Sequence, residues 1–229
     1  MNTLAIVIAC GKEEQVAPGT DTAFLSLGNR PVLAHSLRTF QDSKSVDGII
    51  VAVSKERVDS AVQVVKRFGC TKVRGIVVGG ANRLSSLRTV YAKLPEAASN
   101  IIVHEASRPF ISPEVIHEGV KAAKRYGCAI AAHRVPDSVK VAVKGLKPDK
   151  TLERNSAWIA QTPQVFRVEV FEKIIDPKNK SVKLIDDESE WVKKPAEVHM
   201  IESGCCNIKI RTPDDFSGAT ALFRTRLNR

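Results

Sequence analysis

The sequence predicts an α/β fold built on a single, mostly parallel sheet with helices on both faces. Two observations support this prediction. Short, nearly continuous runs of Val, Ile and Ala are typical of strands covered on both faces. These runs alternate with longer amphipathic segments, as in doubly wound sheets. The runs that we predict as the first five strands are residues 4–9, 48–53, 73–78, 101–104 and 129–133.

The segments between these strands have helical periodicity. Apolar side chains recur at helical spacing between residues 56 and 68, and Gly69 ends that pattern. Ser112 is a good N-cap for a helix that begins at Pro113, and Gly127 follows its end. The helices predicted in this half are residues 31–40, 56–68, 82–94 and 113–126.

A different pattern follows His133. Residues 138–143 alternate polar and apolar side chains, residues 145–149 are turn-like, and residues 151–153 are extended again. This predicts a β-hairpin inserted between core elements. Because an isolated hairpin is only marginally stable in water, we expect this arm, at about 136–155, to pack against a second subunit.

The remaining segments return to the core pattern. We predict an extended segment at 157–161, helices at 168–175 and 188–193, strands at 196–201 and 208–210, and a last helix from Pro213 to about Leu227. Thr212 is the expected N-cap of that last helix. No repeat or linker is evident, so residues 1–229 are interpreted as one domain that carries the arm.

Composition restricts the function classes. The chain has 229 residues and a formal net charge of +10, which favours polyanionic ligands such as phosphorylated molecules. Nucleic acid is a disfavoured partner because the basic residues are spread along the chain rather than grouped. No apolar run approaches the roughly 18 residues that suggest a membrane span, and the apolar start lacks the features of a signal peptide.

Cysteine usage favours a cytoplasmic protein with reduced thiols. The five cysteines are an odd number, form no C-x-x-C pair and have no histidine at zinc-site spacing. They are Cys10, Cys70, Cys128, Cys205 and Cys206.

Three segments that follow predicted strands carry potential site chemistry. Gly11 begins a loop after the first strand, where ligands of open α/β sheets bind, although a plain tight turn explains one glycine equally well. Gly79 and Gly80 precede a helix start that contains Arg83 and Ser86, and such a helix start can bind an anion or be simply capped. Glu105 follows a buried strand; its carboxylate can hold a metal or a hydroxyl group, with Arg108 pairing with a phosphate, or it can simply form a salt bridge with Arg108.

Three further segments are weak individually. They are Arg154 with residues 161–164, the acidic residues 186–188, and residues 207–215. An acidic cluster at a helix start is most often cap and dipole chemistry.

Taken together and in order, these segments resemble the 2-C-methyl-D-erythritol 4-phosphate cytidylyltransferase family of the non-mevalonate isoprenoid pathway. The resemblance covers nearly the whole chain. Its most specific pieces are V-H-E-A-S-R-P-F at 103–110, P-D-S-V-K at 136–140, Q-T-P-Q-V-F at 161–166, and N-I-K-I at 207–210 followed by P-D-D at 213–215.

This resemblance implies a Rossmann-like fold and a homodimer whose β-arms interlock. It also implies transfer of a cytidylyl group from CTP to a polyol phosphate with Mg²⁺ and release of pyrophosphate. A related group uses ribitol 5-phosphate, so the acceptor stays open.

The resemblance also assigns roles to residues. Expected nucleotide-binding residues are Ala9, Cys10, Gly11, Gly80, Ala81, Ser86 and Ala106. Expected acceptor-binding residues are Ser138, Arg154, Thr162 and Ile185, with Arg154 reaching the neighbouring subunit. Expected catalytic residues are Glu105, Arg108, Lys209 and Lys12, the last as the remaining cation of the first loop. No metal ligands are assigned.

Several positions depart from the family pattern. The family loop has an Arg and a Lys that bind the CTP phosphates, whereas this chain has Gln15 and Thr22 there. Asp21 replaces a family Pro, Ala81 replaces an Asp and Ile185 replaces a Thr. Because one electrostatic donor is worth about 10²–10³ in rate, the loss of two cations would cost about 10⁴ or more.

Two main functional hypotheses follow, beside a third and weaker one, a nucleic-acid-binding protein that reuses the fold. The first is a working cytidylyltransferase in which Lys209, Arg108 and Lys12 supply the positive charge. The second is a family member that has lost catalysis and serves as a dimeric ligand-binding or interaction protein. The pair Gln15 and Thr22 discriminates between them.

Overall fold

The computed structural model describes residues 2–11, 15–94, 98–179 and 187–227. A seven-stranded sheet forms its centre, and the predicted α/β class is confirmed. Its strands, in spatial order, are β13 (Glu197–Glu202), β9 (Gly127–Arg134), β12 (Trp158–Arg167), β8 (Ala98–Glu105), β1 (Asn2–Ala9), β6 (Gly48–Val53) and β7 (Val73–Val78). Strand β12 runs antiparallel to both of its neighbours, whereas the other four pairings are parallel.

Six α-helices accompany this sheet in the described part of the chain. They are α1 (Val32–Asp42), α2 (Val58–Arg67), α3 (Arg83–Tyr91), α4 (Pro113–Tyr126), α5 (Val168–Ile175) and α6 (Pro213–Leu227). Alternate side chains of β1 show why both faces of the sheet are covered. Ala5 and Val7 belong to the core under α1, α2 and α4, whereas Leu4 and Ile6 belong to the core under α3 and α5.

The predicted helix ends are confirmed where a cap was named. The Ser112 hydroxyl accepts the Val115 N–H at the start of α4, and Gly127 ends that helix with φ of +99°. A side chain at position 127 would also collide with Ala196. Glycine is therefore favoured here for two reasons, the positive φ and the lack of space. At the start of α6 the Thr212 hydroxyl accepts the Asp215 N–H.

The prediction for residues 157–161 was too short. The strand continues to Arg167 and lies between β8 and β9. Pro163 hides this continuity in the sequence, because proline is normally absent from central strands. The structure accommodates it at a register shift between Gln161 and Gln164 in the pairing with β9.

Two other predictions were wrong. Residues 208–210 form no strand, since the Ile210 N–H donates instead to the Ser107 carbonyl beyond the end of β8. Residues 188–193 form only a 3₁₀ turn, Glu188–Trp191. The turn ends because Val192 already has extended backbone geometry, with φ of −67° and ψ of 126°.

The smaller elements lie outside the sheet. In the predicted arm, β10 (Lys140–Val141) pairs with β11 (Lys150–Thr151) in an antiparallel hairpin. Two unpredicted hairpins, β2 (Gln15–Ala17) with β3 (Thr20–Asp21) and β4 (Ser26–Leu27) with β5 (Arg30–Pro31), connect β1 to α1. Among the described helices, none combines the length and apolar character needed to cross a bilayer.

Candidate functional site

The candidate site lies at the carboxyl edge of the sheet, where the strand order reverses. The chain proceeds from β1 through β6 to β7 on one side and then places β8 on the other side of β1. Ile8 pairs with Glu105 in register, and the Ala106 N–H donates to the Ile8 carbonyl at 2.8 Å. Such switch points are where open α/β sheets bind ligands.

One half of the site joins Cys10 to the Gly79-Gly80 turn. The Ser86 hydroxyl accepts the Gly80 N–H at 3.0 Å and lies 3.7 Å from the Cys10 sulfur. A side chain at Gly79 would come within 2.4 Å of that sulfur, so only glycine allows this approach. The structure therefore brings together three of the predicted nucleotide-binding residues, Cys10, Gly80 and Ser86.

The other predicted nucleotide-binding residues surround this contact. Gly11 is exposed and has φ of +98°, and Ala81 is also exposed. Ala9 and Ala106 are buried, and the Ala106 N–H is already used by Ile8. Ala9 and Ala106 therefore line the ends of β1 and β8 by packing.

The other half of the site is centred on the Glu105 carboxylate. One oxygen accepts from Lys209 Nζ at 2.6 Å and from Arg83 at 3.1 Å, and the other accepts from Arg108 Nε at 2.7 Å. The Glu105 side chain is only 8% exposed. Burial by itself would raise the pKa of this carboxyl, but Lys209, Arg108 and Arg83 outweigh burial and hold the pKa well below its usual range.

Behind Glu105, a chain of hydrogen bonds holds the end of β8 in place. The Thr162 hydroxyl accepts the Glu105 N–H at 3.0 Å and lies 3.2 Å from His104 Nδ1. His104 Nε2 lies 3.2 Å from the Arg108 carbonyl, so a neutral ring that donates from Nε2 satisfies every partner. Burial, followed by the charge of Arg108, lowers the pKa of His104 to about 3 and keeps the ring neutral. Thr162, predicted to bind the acceptor, is thus buried in a supporting position.

Glu188 was missed as a site residue because its segment was interpreted as capping chemistry. It is fully buried and accepts two hydrogen bonds from Arg83, at 2.5 Å and 2.8 Å. Arg83 thereby bridges Glu188 and Glu105. One sequence signal was available: Arg83 lies in the first turn of a helix, where a cation is unfavourable for the helix dipole, so an anionic partner is expected.

Asn207 was also missed as a site residue. Its side-chain amide donates to the Gln161 side chain at 2.9 Å and to the Thr162 carbonyl at 2.8 Å. Its own carbonyl accepts from Arg108 at 3.0 Å. Asn207 therefore links the turn of chain that presents Lys209 to β12 and to Arg108. No local sequence pattern predicts that Asn207 makes these hydrogen bonds.

The two departing positions that replace the phosphate-binding Arg and Lys, Gln15 and Thr22, lie at the start of β2 and directly after β3. The Gln15 amide donates to Asp21 at 3.1 Å, and Asp21 also forms an ion pair with Arg57 at 2.6 Å. Thr22 is fully buried, and its hydroxyl has no hydrogen-bond partner among the described residues. The predicted site residues Lys12 and Ile185 lie outside the described residues.

The buried Thr22 hydroxyl leads to a stability prediction. Thr22→Val is expected to leave the free energy of unfolding unchanged or to raise it by up to about 1 kcal/mol, because it removes an unpaired buried hydroxyl. Thr22→Lys is expected to lower that free energy, because it buries an unpaired ammonium group. Urea denaturation of both variants tests this; a Thr22→Val protein that is clearly less stable would contradict it.

Ser138 and Arg154 do not join the Glu105 cluster. Both are exposed on the arm segment, and the Arg154 side chain forms no hydrogen bond or ion pair with another described residue of the chain. Their expected role in acceptor binding stays a prediction, since it requires the arm to reach a second subunit.

The described residues do not form a metal centre. No three His, Cys, Asp or Glu side chains come close enough within them to hold an ion. Both Glu105 oxygens accept from cationic side chains, and Glu188 pairs with Arg83. The carboxylates at this edge are thus committed to arginine and lysine and do not fit a preformed Mg²⁺ site.

The chain is similar to known proteins in both sequence and fold. Residues 3–225 match the family model described as 2-C-methyl-D-erythritol 4-phosphate cytidylyltransferase. Curated relatives with that name include one from Dehalococcoides mccartyi, 35% identical over 96% of this chain and 95% of its own. Another, from Geobacillus kaustophilus, is 33% identical over 99% of both chains. The fold is similar to the crystal structure of a 4-diphosphocytidyl-2C-methyl-D-erythritol synthase from Anaerococcus prevotii, with a TM-score of 0.85, 23% identity and coverage of 97% of this chain and 96% of that chain.

Proposed function

Because the chain belongs to the 2-C-methyl-D-erythritol 4-phosphate cytidylyltransferase family, we propose that it transfers a cytidylyl group from CTP to 2-C-methyl-D-erythritol 4-phosphate. Pyrophosphate is the second product. The observation that carries this proposal is the cluster of Lys209, Arg108 and Arg83 around Glu105 at the switch point of the sheet.

The charge of this cluster suits phosphoryl chemistry. Its three cations exceed the two carboxylates, Glu105 and Glu188, by one positive charge. The side chains of Lys209 and Arg108 are each only 11% exposed, so their charges are weakly screened by water. Preorganised cations of this kind stabilise the charge that develops on a phosphorus centre during transfer.

In the proposed reaction, an oxygen of the acceptor phosphate attacks the α-phosphorus of CTP in line with the leaving pyrophosphate. The attacking group is itself an anion, so no side-chain nucleophile and no general base are needed. Lys209 and Arg108 bind phosphate oxygens and orient the two substrates, which is a large part of catalysis in such transfers. Glu105 positions both cations.

We assign the nucleotide base to the other half of the site. Cys10, Gly11, Gly80 and Ser86 border a narrow approach between two strand ends, where a planar base can lie against the backbone. Mg²⁺, expected from the family, would supply charge neutralisation on the triphosphate. The proposed steps for this chain do not depend on a protein metal site.

The exposed apolar side chains of the arm support the proposal that the protein is a homodimer. Val143 is 78% exposed and Leu146 is fully exposed near its tip, which is costly for apolar side chains in water. A second copy of the chain would cover them, and it would receive Arg154 and Ser138 close to its acceptor phosphate. Residues 1–229 then act as one nucleotidyltransferase domain with a dimerisation arm at about 136–155.

The decisive experiment measures pyrophosphate release from CTP and 2-C-methyl-D-erythritol 4-phosphate in the presence of Mg²⁺. We expect turnover at about 1 s⁻¹ or more, within the ordinary enzyme range. UTP and ATP in place of CTP test the nucleotide, and ribitol 5-phosphate tests the acceptor. Turnover with ribitol 5-phosphate alone would reassign the acceptor while keeping the reaction.

A second arm of the experiment tests the non-catalytic alternative. Since Thr22 is buried, the missing positive charge is best restored by Gln15→Arg alone, with Gln63→Arg on the exposed face of α2 as the matched control. An inactive native chain that gains turnover only through Gln15→Arg would overturn the enzymatic proposal. It would leave a binding protein whose phosphate contacts have been lost.

A further inference from the structure

A basic groove lies at the opposite edge of the sheet from the candidate site. Its volume is about 630 Å³, which is within the range of small-molecule sites. Thr3, at its floor, is near the amino end of β1, whereas the candidate site begins at Ala9. Ala9 is six residue steps beyond Thr3 along β1, which corresponds to roughly 20 Å of strand. The side chains that define the basic groove are Lys44, Ser45, His117, Lys121, Lys124 and Arg125.

The cations of the basic groove come from two walls. Lys44 belongs to the loop between α1 and β6, whereas Lys121, Lys124 and Arg125 lie on one face of α4, at the spacing of neighbours on a helix surface. Lys72 and Arg74 add charge beside the loop wall, because they donate to the Ser43 and Asp47 carbonyls. This concentration contributes to the chain's net charge of +10.

Nearby carboxylates do not neutralise these cations. Lys121 lies 3.6 Å from Glu118, but both side chains are at least half exposed, and such pairs are weak. Lys44, Lys124 and Arg125 have no ion-pair partner among the described residues. Asp47, which also lines the groove and accepts the Thr3 N–H at 2.8 Å, supplies one negative charge, and the four cations Lys44, Lys121, Lys124 and Arg125 exceed it.

Compensation of the helix dipole does not account for the cluster. The carboxyl end of a helix carries the equivalent of about half a negative charge. Three cations within the last six residues of α4, faced by Lys44 across the groove, far exceed that requirement. Closely spaced like charges in a concave site repel one another and are stabilised by a multivalent anion.

We propose that the basic groove binds a small anion that carries two or more linked phosphate groups, at a place separate from the candidate site. A single phosphate contacts one wall at a time, whereas a linked chain of phosphates reaches Lys44 and α4 together. Arg125 can bind such an anion bidentately, and the lysines bind it as point charges. The inference does not depend on the proposed enzymatic activity.

The test uses inorganic tripolyphosphate as the probe and the full chain. Calorimetric titration at low salt is expected to show that Lys121→Glu/Lys124→Glu weakens binding about tenfold or more. The matched control, Lys193→Glu/Lys194→Glu, has the same charge change at exposed positions elsewhere and is expected to bind as the native chain does. Both titrations are made in a Lys209→Ala background, which weakens phosphate binding at the candidate site.

A second measurement on the native chain locates the bound anion without relying on any variant. Acetylation of lysines, followed by mass spectrometry, is expected to show that tripolyphosphate protects Lys44, Lys121 and Lys124. Protection of Lys209 alone would overturn the proposal, and so would equal weakening in the two double variants. Orthophosphate that binds as tightly as tripolyphosphate, or an oligonucleotide that binds there when tripolyphosphate does not, would overturn it as well.

Discussion

Replacing Lys209 by alanine is expected to lower kcat/KM for cytidylyl transfer by about 10²–10³-fold, the usual cost of one preorganised electrostatic donor. Lys209 is bound to Glu105 at 2.6 Å and is mostly buried, so its charge is held at the switch point rather than free in solvent. Since the charge develops on phosphate oxygens during transfer, most of the loss should appear in kcat rather than in KM. Steady-state pyrophosphate release measures both constants.

The fold of the Lys209→Ala protein should survive. Glu105 keeps two cationic partners, Arg108 and Arg83, and is not left as an unpaired buried charge. Lys193→Ala, at an exposed position, serves as the control and should retain native activity. A Lys209→Ala enzyme with native kcat/KM would remove Lys209 from the mechanism.

Glu105→Gln is expected to be the most destabilising of the substitutions considered. It leaves Lys209, Arg108 and Arg83 close together and largely buried, with only Glu188 to balance them. Loss of one partner from a buried ion pair typically costs about 3–5 kcal/mol. For a chain of this size that corresponds to a fall in Tm on the order of 10 °C. Glu202→Gln, on the exposed edge strand β13, is the matched control.

The same carboxylate predicts a pH dependence of stability. Because the folded-state pKa of Glu105 is depressed, its contribution is fully present above the unfolded-state pKa of about 4.3 and is lost as the pH falls below that value. The difference in unfolding free energy between the native chain and Glu105→Gln should therefore shrink below about pH 4.3. Urea denaturation at a series of pH values measures it. A difference that does not change with pH would show that Glu105 does not stabilise the fold through its charge.

Much of the fold follows from local patterns. The strands β1 and β6 were predicted correctly because a strand covered on both faces is apolar along nearly its whole length. The helix α4 was predicted correctly because its apolar side chains recur at helical spacing and its caps act over three or four residues. Only the first part of strand β12 was predicted from the sequence. Pro163 breaks the local pattern, and its accommodation depends on the partner strand β9.

Some parts of the candidate site were likewise predicted from local sequence patterns, and others were not. Gly79, Gly80 and Glu105 were identified from the sequence because they lie at or just beyond the carboxyl end of a strand, and these ends meet at one edge of a parallel sheet. Residues 208–210 resemble a strand by composition. The structure instead places them across the end of β8, where the neighbouring positions are already occupied by β1 and β12.

The sequence by itself determined the α/β fold class with most of its core strands and helices, the family, and the edge of the sheet where the site lies. Only the tertiary structure decided that Arg83 joins Glu188 to Glu105, that Asn207 supports Arg108, and that Thr22 is buried. The physical reason is the range of the interactions. Periodicity and capping act between residues a few positions apart, whereas the ion pair of Arg83 with Glu188 spans 105 positions and exists only when the sheet has assembled.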